Sequence, residues 1–160
     1  MSTTKQTPQP SDHELVLTRL VKAPRHSLFR AWTEPELLKQ WFAPHPCTVP
    51  VAETDVRPGG TSLIVMRVPD GKEMPCHGVY LEVVKDERLV FTDAYTKAWY
   101  PSAKPFMTVI ITFEDEAGGT RYTARVRHWT AEDKATHEKM GFHQGWALCT
   151  DQLAALAAKL

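Results

Sequence analysis

The sequence predicts an α+β fold: a strand, two short helices, six further strands and one long amphipathic helix. Three observations carry this reading. Residues 130–160 place Phe142, Trp146, Cys149, Leu153, Leu156 and Leu160 at spacings of four, three, four, three and four, which is one stripe of an α-helix. Residues 120–128 alternate, with Tyr122, Ala124 and Val126 against Arg121, Thr123, Arg125 and Arg127, so that strand has one dry and one wet face. Short links at Asp70-Gly71, Lys85-Asp86 and Gly118-Gly119 join neighbouring strands as antiparallel hairpins. A sheet with a single apolar face needs a cover. At about 1.5 Å per residue the last helix runs roughly 40 Å, long enough to cross it.

Taken in order, residues 1–13 are polar, contain Pro8 and Pro10 and lack an apolar segment, so they are expected to form a disordered tail that is neither signal peptide nor anchor. The remaining residues, 14–160, are expected to form a single domain, and a chain of 160 residues can bury about two-thirds of its unfolded surface. Residues 14–21 read as a strand apolar on both faces that stops at Ala23-Pro24. Leu28, Phe29 and Trp32 then follow at helical spacing. Thr33-Glu34-Pro35-Glu36 has the form of a capping box opening a second short helix, whose apolar side is Leu37, Leu38, Trp41 and Phe42. Residues 47–56 are strand-like, but Pro50 cannot donate to a ladder, which assigns this strand to a sheet edge or a bulge. After the turn Arg57-Pro58-Gly59-Gly60 come strands at 62–68, 76–84, 88–94, 106–114 and 120–128, with a longer loop over 95–105. Thr130 is a good N-cap for the last helix, and Glu132 and Asp133 complement the positive end of its dipole. Beside the apolar stripe of that helix runs a second line, His137, Gly141, Gly145, Leu148 and Gln152, bare in its middle. Either a sheet packs tightly against the glycines or room is left there for a ligand.

Composition excludes several functions. With 19 basic and 19 acidic residues the net charge is zero, so there is no electrostatic footprint for nucleic acid or an anionic membrane surface. No apolar run reaches the length of a membrane span. Cys47, Cys76 and Cys149 have no framework spacing and suit a reducing, cytoplasmic setting. His45 with Cys47 and Cys76 with His77 lack the spacing of a zinc site, so no metal is expected. No nucleophile elbow, phosphate loop or dinucleotide fingerprint occurs, and no cofactor is expected.

Several motifs carry a family resemblance: Ala23-Pro24 leading to Phe29 and Ala31-Trp32-Thr33; Trp41 before a proline; Asp55-Val56-Arg57-Pro58-Gly59-Gly60; Gly78-Val79-Tyr80-Leu81-Glu82-Val83; and Gly141-Phe142-His143-Gln144-Gly145-Trp146. In that order they resemble the activator of heat-shock-protein (ninety-kilodalton) ATPase homologue-like family, within the START/Bet v-like SRPBCC superfamily. The likeness covers about residues 14–158. It implies the helix-grip fold, a seven-stranded antiparallel sheet wrapped around the C-terminal helix with a cavity between them. It implies no single activity, because the superfamily includes lipid and hormone binders, cyclases and chaperone activators.

The expected function is binding of a hydrophobic or aromatic small molecule in that cavity. The residues expected to line it are Tyr80, Trp99, Phe106, Tyr122, His128, His137, Met140, Gly141, Gly145 and Leu148. For the aromatic residues the plainer alternative is core packing, and for the histidines it is a ring satisfied by backbone or solvent near an element end. Trp99-Tyr100-Pro101 sits in the long loop, where it is either a lid over the cavity mouth or packing on the sheet rim. Two other functions stay open. One is a cofactor-free enzyme of the cyclase or hydrolase kind, in which His128, Tyr122 or Asp93 orients substrate and moves protons. The other is a module that binds a chaperone through its outer surface; a homodimer stays open as well.

Overall fold

A computed structural model describes residues 12–160. The strands are β1 (Glu14–Val21), β2 (Thr48–Thr54), β3 (Thr61–Arg67), β4 (Glu73–Val84), β5 (Arg88–Thr92), β6 (Tyr95–Lys97), β7 (Tyr100–Pro101), β8 (Met107–Glu116) and β9 (Gly119–His128). The helices are α1 (Arg25–Thr33), α2 (Pro35–Trp41), α3 (Ala131–Lys139) and α4 (Phe142–Ala157). Seven strands form one antiparallel sheet in the order β1-β9-β8-β5-β4-β3-β2. The long loop after β5 folds into a separate two-stranded hairpin, β6–β7. α1, α2 and α4 cover the apolar face, and this is the helix-grip architecture.

The alternation of β9 sets the faces. Tyr122, Ala124, Val126 and His128 are buried, and they carry the core onto β8 through Val109, Ile111 and Phe113. From the helices, Leu28, Trp32, Leu38, Trp41 and Leu153 press down onto the same face. β2 is an edge strand with a register shift between Thr48 and Val51, around Pro50, as its missing N–H requires.

On the opposite face of β9 the three arginines differ. Arg121 pairs with Glu116 at 2.7 Å at the exposed hairpin end. Arg125 is not on a solvated surface: it pairs with Glu14 at 2.8 Å, and the two side chains are only 11% and 12% exposed. Arg127 adds a second contact to the same carboxylate at 3.2 Å. Burial alone would raise the Glu14 pKa, but the two guanidinium groups outweigh it and hold the carboxyl below its usual range.

Four expectations are corrected. Residues 130–160 do not form one helix. Gly141 has φ +94°, a left-handed conformation that glycine adopts without strain, and it ends α3 and caps α4. Thr130 does cap α3, accepting from the Asp133 amide at 3.0 Å. Thr33 does not cap α2. It is the last residue of α1, its hydroxyl donates back to the Phe29 carbonyl at 2.8 Å, and Glu34 takes the cap position with no side-chain bond. Leu160, the last residue of the stripe, lies past the end of α4 and is exposed. Of the expected tail, residues 1–11 lie outside the described residues, whereas His13 continues the β1 edge: its carbonyl accepts from the His128 amide at 2.8 Å.

Candidate functional site: a cavity between sheet and helices

The sheet and its cover part at one end to leave a cavity of about 570 Å³. Its helical wall is Trp32 of α1, Trp41 and Phe42 at the end of α2, and Gly145, Trp146 and Cys149 of α4. Its sheet wall is Ile64, Met66, Phe91, Met107, Val109 and Tyr122. The exposed lining residues Pro75, His77 and Thr96 mark a mouth between the start of β4 and the β6–β7 hairpin. Sequence puts this wall here for a simple reason. Two short helices joined by a single residue cannot both lie flat on a twisted sheet, so their aromatic faces turn toward each other. Trp32 packs against Trp41 at 4.8 Å, Phe91 at 5.6 Å and Phe42 at 6.1 Å between ring centroids.

Most polar groups around the cavity are occupied. The Trp32 indole N–H donates to the Tyr122 hydroxyl at 3.2 Å, and the Trp41 N–H donates to the Ala31 carbonyl at 2.9 Å. Asp93 Oδ1 accepts from the Phe106 and Met107 amides at 2.8 and 3.1 Å, which fixes the entry into β8. The Thr150 hydroxyl donates to the Trp146 carbonyl at 2.7 Å. Burial raises the Cys149 thiol to about 11, with Cys47 adding to it, and burial with Asp93 nearby also raises Cys76. These thiols stay protonated and are weak nucleophiles. Ser102 Oγ is the exception among the described residues, buried without a partner.

The ten residues expected at the site separate into two groups. Phe106, Tyr122, His137 and Gly145 line the cavity together. A Cβ built on Gly145 meets nothing within 4 Å, so its bareness leaves room rather than admitting a close strand. The other six lie elsewhere. Tyr80 is buried behind the wall against Phe91, and burial pushes its phenol up to about 12. Trp99 is 58% exposed and packs on Tyr95; Tyr95 and Thr96 border the cavity, but Trp99 does not reach it. His128 is buried behind His137. Met140 and Leu148 point to solvent, at 73% and 41% exposed: Met140 closes α3 just before the break at Gly141, and Leu148, three residues past Gly145 on α4, falls on the outer side of that helix. Gly141 serves the break itself. Sequence reasoning placed Trp32, Trp41 and Phe42 on the apolar sides of the two short helices without assigning them to the cavity and did not single out Phe91; the signal was four aromatic rings within one short helical pair and its facing strand.

The histidines form a pair. His128 Nδ1 meets the His13 carbonyl at 2.8 Å, and His128 Nε2 meets His137 Nδ1 at 2.8 Å. Phe106 and Phe142 flank the His137 ring at 5.3 and 5.0 Å. Burial, then the neighbouring His128, lower the His137 pKa to about 4, so its ring is neutral at pH 7. The unfolded ring takes a proton near pH 6.5, the folded one only near 4. Between these values the unfolded state binds more protons, so stability falls as pH falls. We expect a loss of about 1–2 kcal/mol from this group, allowing for its half-exposed setting. Urea melts of the parent and of His137→Phe at about pH 7 and about pH 4.5 check it: the stability of the parent relative to the variant should drop by that amount. A difference independent of pH would mean that His137 is fully solvated.

Among the described residues no three His, Cys, Asp or Glu side chains converge as metal ligands, and no helix is long and apolar enough to cross a membrane. The fold and cavity define a helix-grip protein of the START/Bet v-like kind. The chain belongs to the family described as Activator of Hsp90 ATPase homolog 1-like protein, whose model matches residues 22–158. Among solved structures it resembles a protein of Nitrosomonas europaea at 38% identity and TM-score 0.91, over 94% of this chain and 97% of that one. A protein of Mycobacterium smegmatis matches at 26% identity and TM-score 0.77, over 91% and 90% of the two chains. One of Chromobacterium violaceum matches at 25% identity and TM-score 0.74, over 89% and 96%. No curated protein matches the chain.

Proposed function

We propose that this protein binds a hydrophobic or aromatic small molecule in the cavity between its sheet and helices, without a cofactor and in the cytoplasm. The observation that carries the reading is the cavity itself: about 570 Å³, walled by aromatic and aliphatic side chains, with a mouth at the surface. Ligand sites fall in the range of about 300–1,000 Å³ and combine apolar walls with few polar groups. A void of that size left dry would forfeit dispersion contacts along its whole lining. Family membership agrees with a ligand-binding or interaction module. The cyclase or hydrolase alternative gains less support, because Tyr122 and Asp93 are committed to Trp32 and to the β8 amides.

The test uses the space at Gly145. Leucine there improves helix propensity by about 0.8 kcal/mol and enters the cavity rather than a packed neighbour. Gly145→Leu should melt at or above the parent temperature yet bind the apolar fluorophore N-phenyl-1-naphthylamine at least about tenfold more weakly. Undiminished binding would place the ligand site elsewhere, and native mass spectrometry of freshly purified parent protein would identify any molecule already bound.

A further inference from the structure

We propose that the cavity selects aromatic ligands carrying a hydroxyl group, with the ligand hydroxyl donating to Nε2 of His137. This rests on the ligand-binding reading above and assigns it a chemical class.

Hydrogen placement fixes the tautomer of each ring. A backbone carbonyl only accepts, so at the 2.8 Å contact between the His13 oxygen and His128 the hydrogen sits on His128 Nδ1. A neutral imidazole carries one hydrogen, so His128 Nε2 is then a lone pair. The 2.8 Å contact from that atom to His137 Nδ1 therefore requires the hydrogen on His137 Nδ1. His137 in turn is left with a lone pair on Nε2. The carbonyl of His13 thus dictates, through two rings, that the far edge of His137 is an acceptor.

The Nδ1 edge of His137 is taken by His128, Phe106 and Phe142 flank the ring, and the residue lines the cavity. Nε2 is the one polar atom it has left to offer there. Burial keeps this ring neutral, so it accepts rather than donates near neutral pH. Most of the remaining wall is apolar or aromatic. Of its polar groups Thr92, Asp93 and Thr150 are already bonded, His77 and Thr96 stand at the mouth, and the Ser102 hydroxyl, which can turn to donate or accept, is not a fixed acceptor. Within reach of one fixed acceptor, a ligand that brings a single donor on an aromatic body matches the cavity, whereas one whose only polar atom is an acceptor leaves two lone pairs facing each other.

The test compares 1-naphthol with 1-methoxynaphthalene, which share a ring system but differ in the donor. It is run by calorimetry at about pH 8, above the ordinary imidazole range of about 6.5. In the parent protein the naphthol should bind about tenfold more tightly than the ether. In His137→Phe that preference should vanish, the naphthol binding no more than about threefold more tightly than the ether. Equal affinities in the parent, or a preference that survives in the variant, would overturn the assignment while leaving the cavity as a ligand site. Failure of both compounds to bind the parent would instead remove the ligand-binding reading and this inference with it. Equal affinities in the parent would overturn the assignment even if the variant does not fold.

Discussion

Tyr122→Ala is expected to lower stability by about 3–5 kcal/mol, the range for deleting a large aromatic side chain from a core. Tyr122 is 1% exposed, its ring stacks obliquely on Phe113 at 6.1 Å, and its hydroxyl accepts the Trp32 indole N–H. Alanine removes the ring, widens the existing cavity and leaves that N–H buried without an acceptor. Tyr122→Phe separates the two effects: packing is kept, and the loss should be about 1–2 kcal/mol, from the unpaired indole alone. Burial drives the phenol pKa well above its usual range, so the hydroxyl is neutral and the result should not change across neutral pH. Urea unfolding read by tryptophan fluorescence measures both variants. An alanine variant within about 1 kcal/mol of the parent would mean that the faces of β9 are reversed, and the cavity wall with them.

Gly60→Ala should be as damaging, for a different reason. The turn before β3 is tightly stitched: the Gly60 amide donates to the Arg57 carbonyl at 2.8 Å, and its own carbonyl accepts from Tyr80 at 2.9 Å. A Cβ on Gly60 would overlap the Asp55 carbonyl and approach the Arg57 oxygen at 3.0 Å. All of these atoms are backbone, so relief requires opening the turn and giving up the link to β4. We expect a loss of about 3 kcal/mol or more. Gly145→Ala is the matching control, because its Cβ meets nothing within 4 Å and lies inside a helix. It should raise stability by up to about 1 kcal/mol. Thermal melts in which the two variants shift in the same direction would contradict the geometry of one of these sites.

Much of the fold was legible because its signals are local. The alternation in β9, the edge position imposed by Pro50 and the cap at Thr130 each depend on a few neighbouring residues, and each appears in the structure. The break at Gly141 was not legible. The apolar stripe begins at Phe142, one residue later, and a glycine just before it reads equally as a small helical residue or as a left-handed cap. Met140 closes α3 at that break and is exposed, whereas Leu148 shares α4 with Gly145 and turns outward within it while Gly145 lines the cavity. The capping-box pattern at Thr33 failed because α1 keeps that threonine as its own last residue. Of the candidate site, the single aromatic positions were visible but their assembly was not. His128 and His137 lie nine residues apart, on a strand and on a helix, and only the turn between them brings two of their ring nitrogens to 2.8 Å.

One side chain joins the two helical walls of the cavity. Gln152 of α4 donates to the carbonyls of Trp41 and Ala43 at 2.9 and 2.8 Å, and its own carbonyl accepts the His45 amide at 3.0 Å. Three main-chain groups at and just past the end of α2 are thus held by one amide. For α2 to swing away from α4, all three bonds must break in the same event, which makes that route a slow one. The mouth beside the β6–β7 hairpin has no equivalent clasp among the described residues. Under the ligand-binding function proposed above, a guest would therefore enter and leave at the mouth beside that hairpin rather than between the two helices.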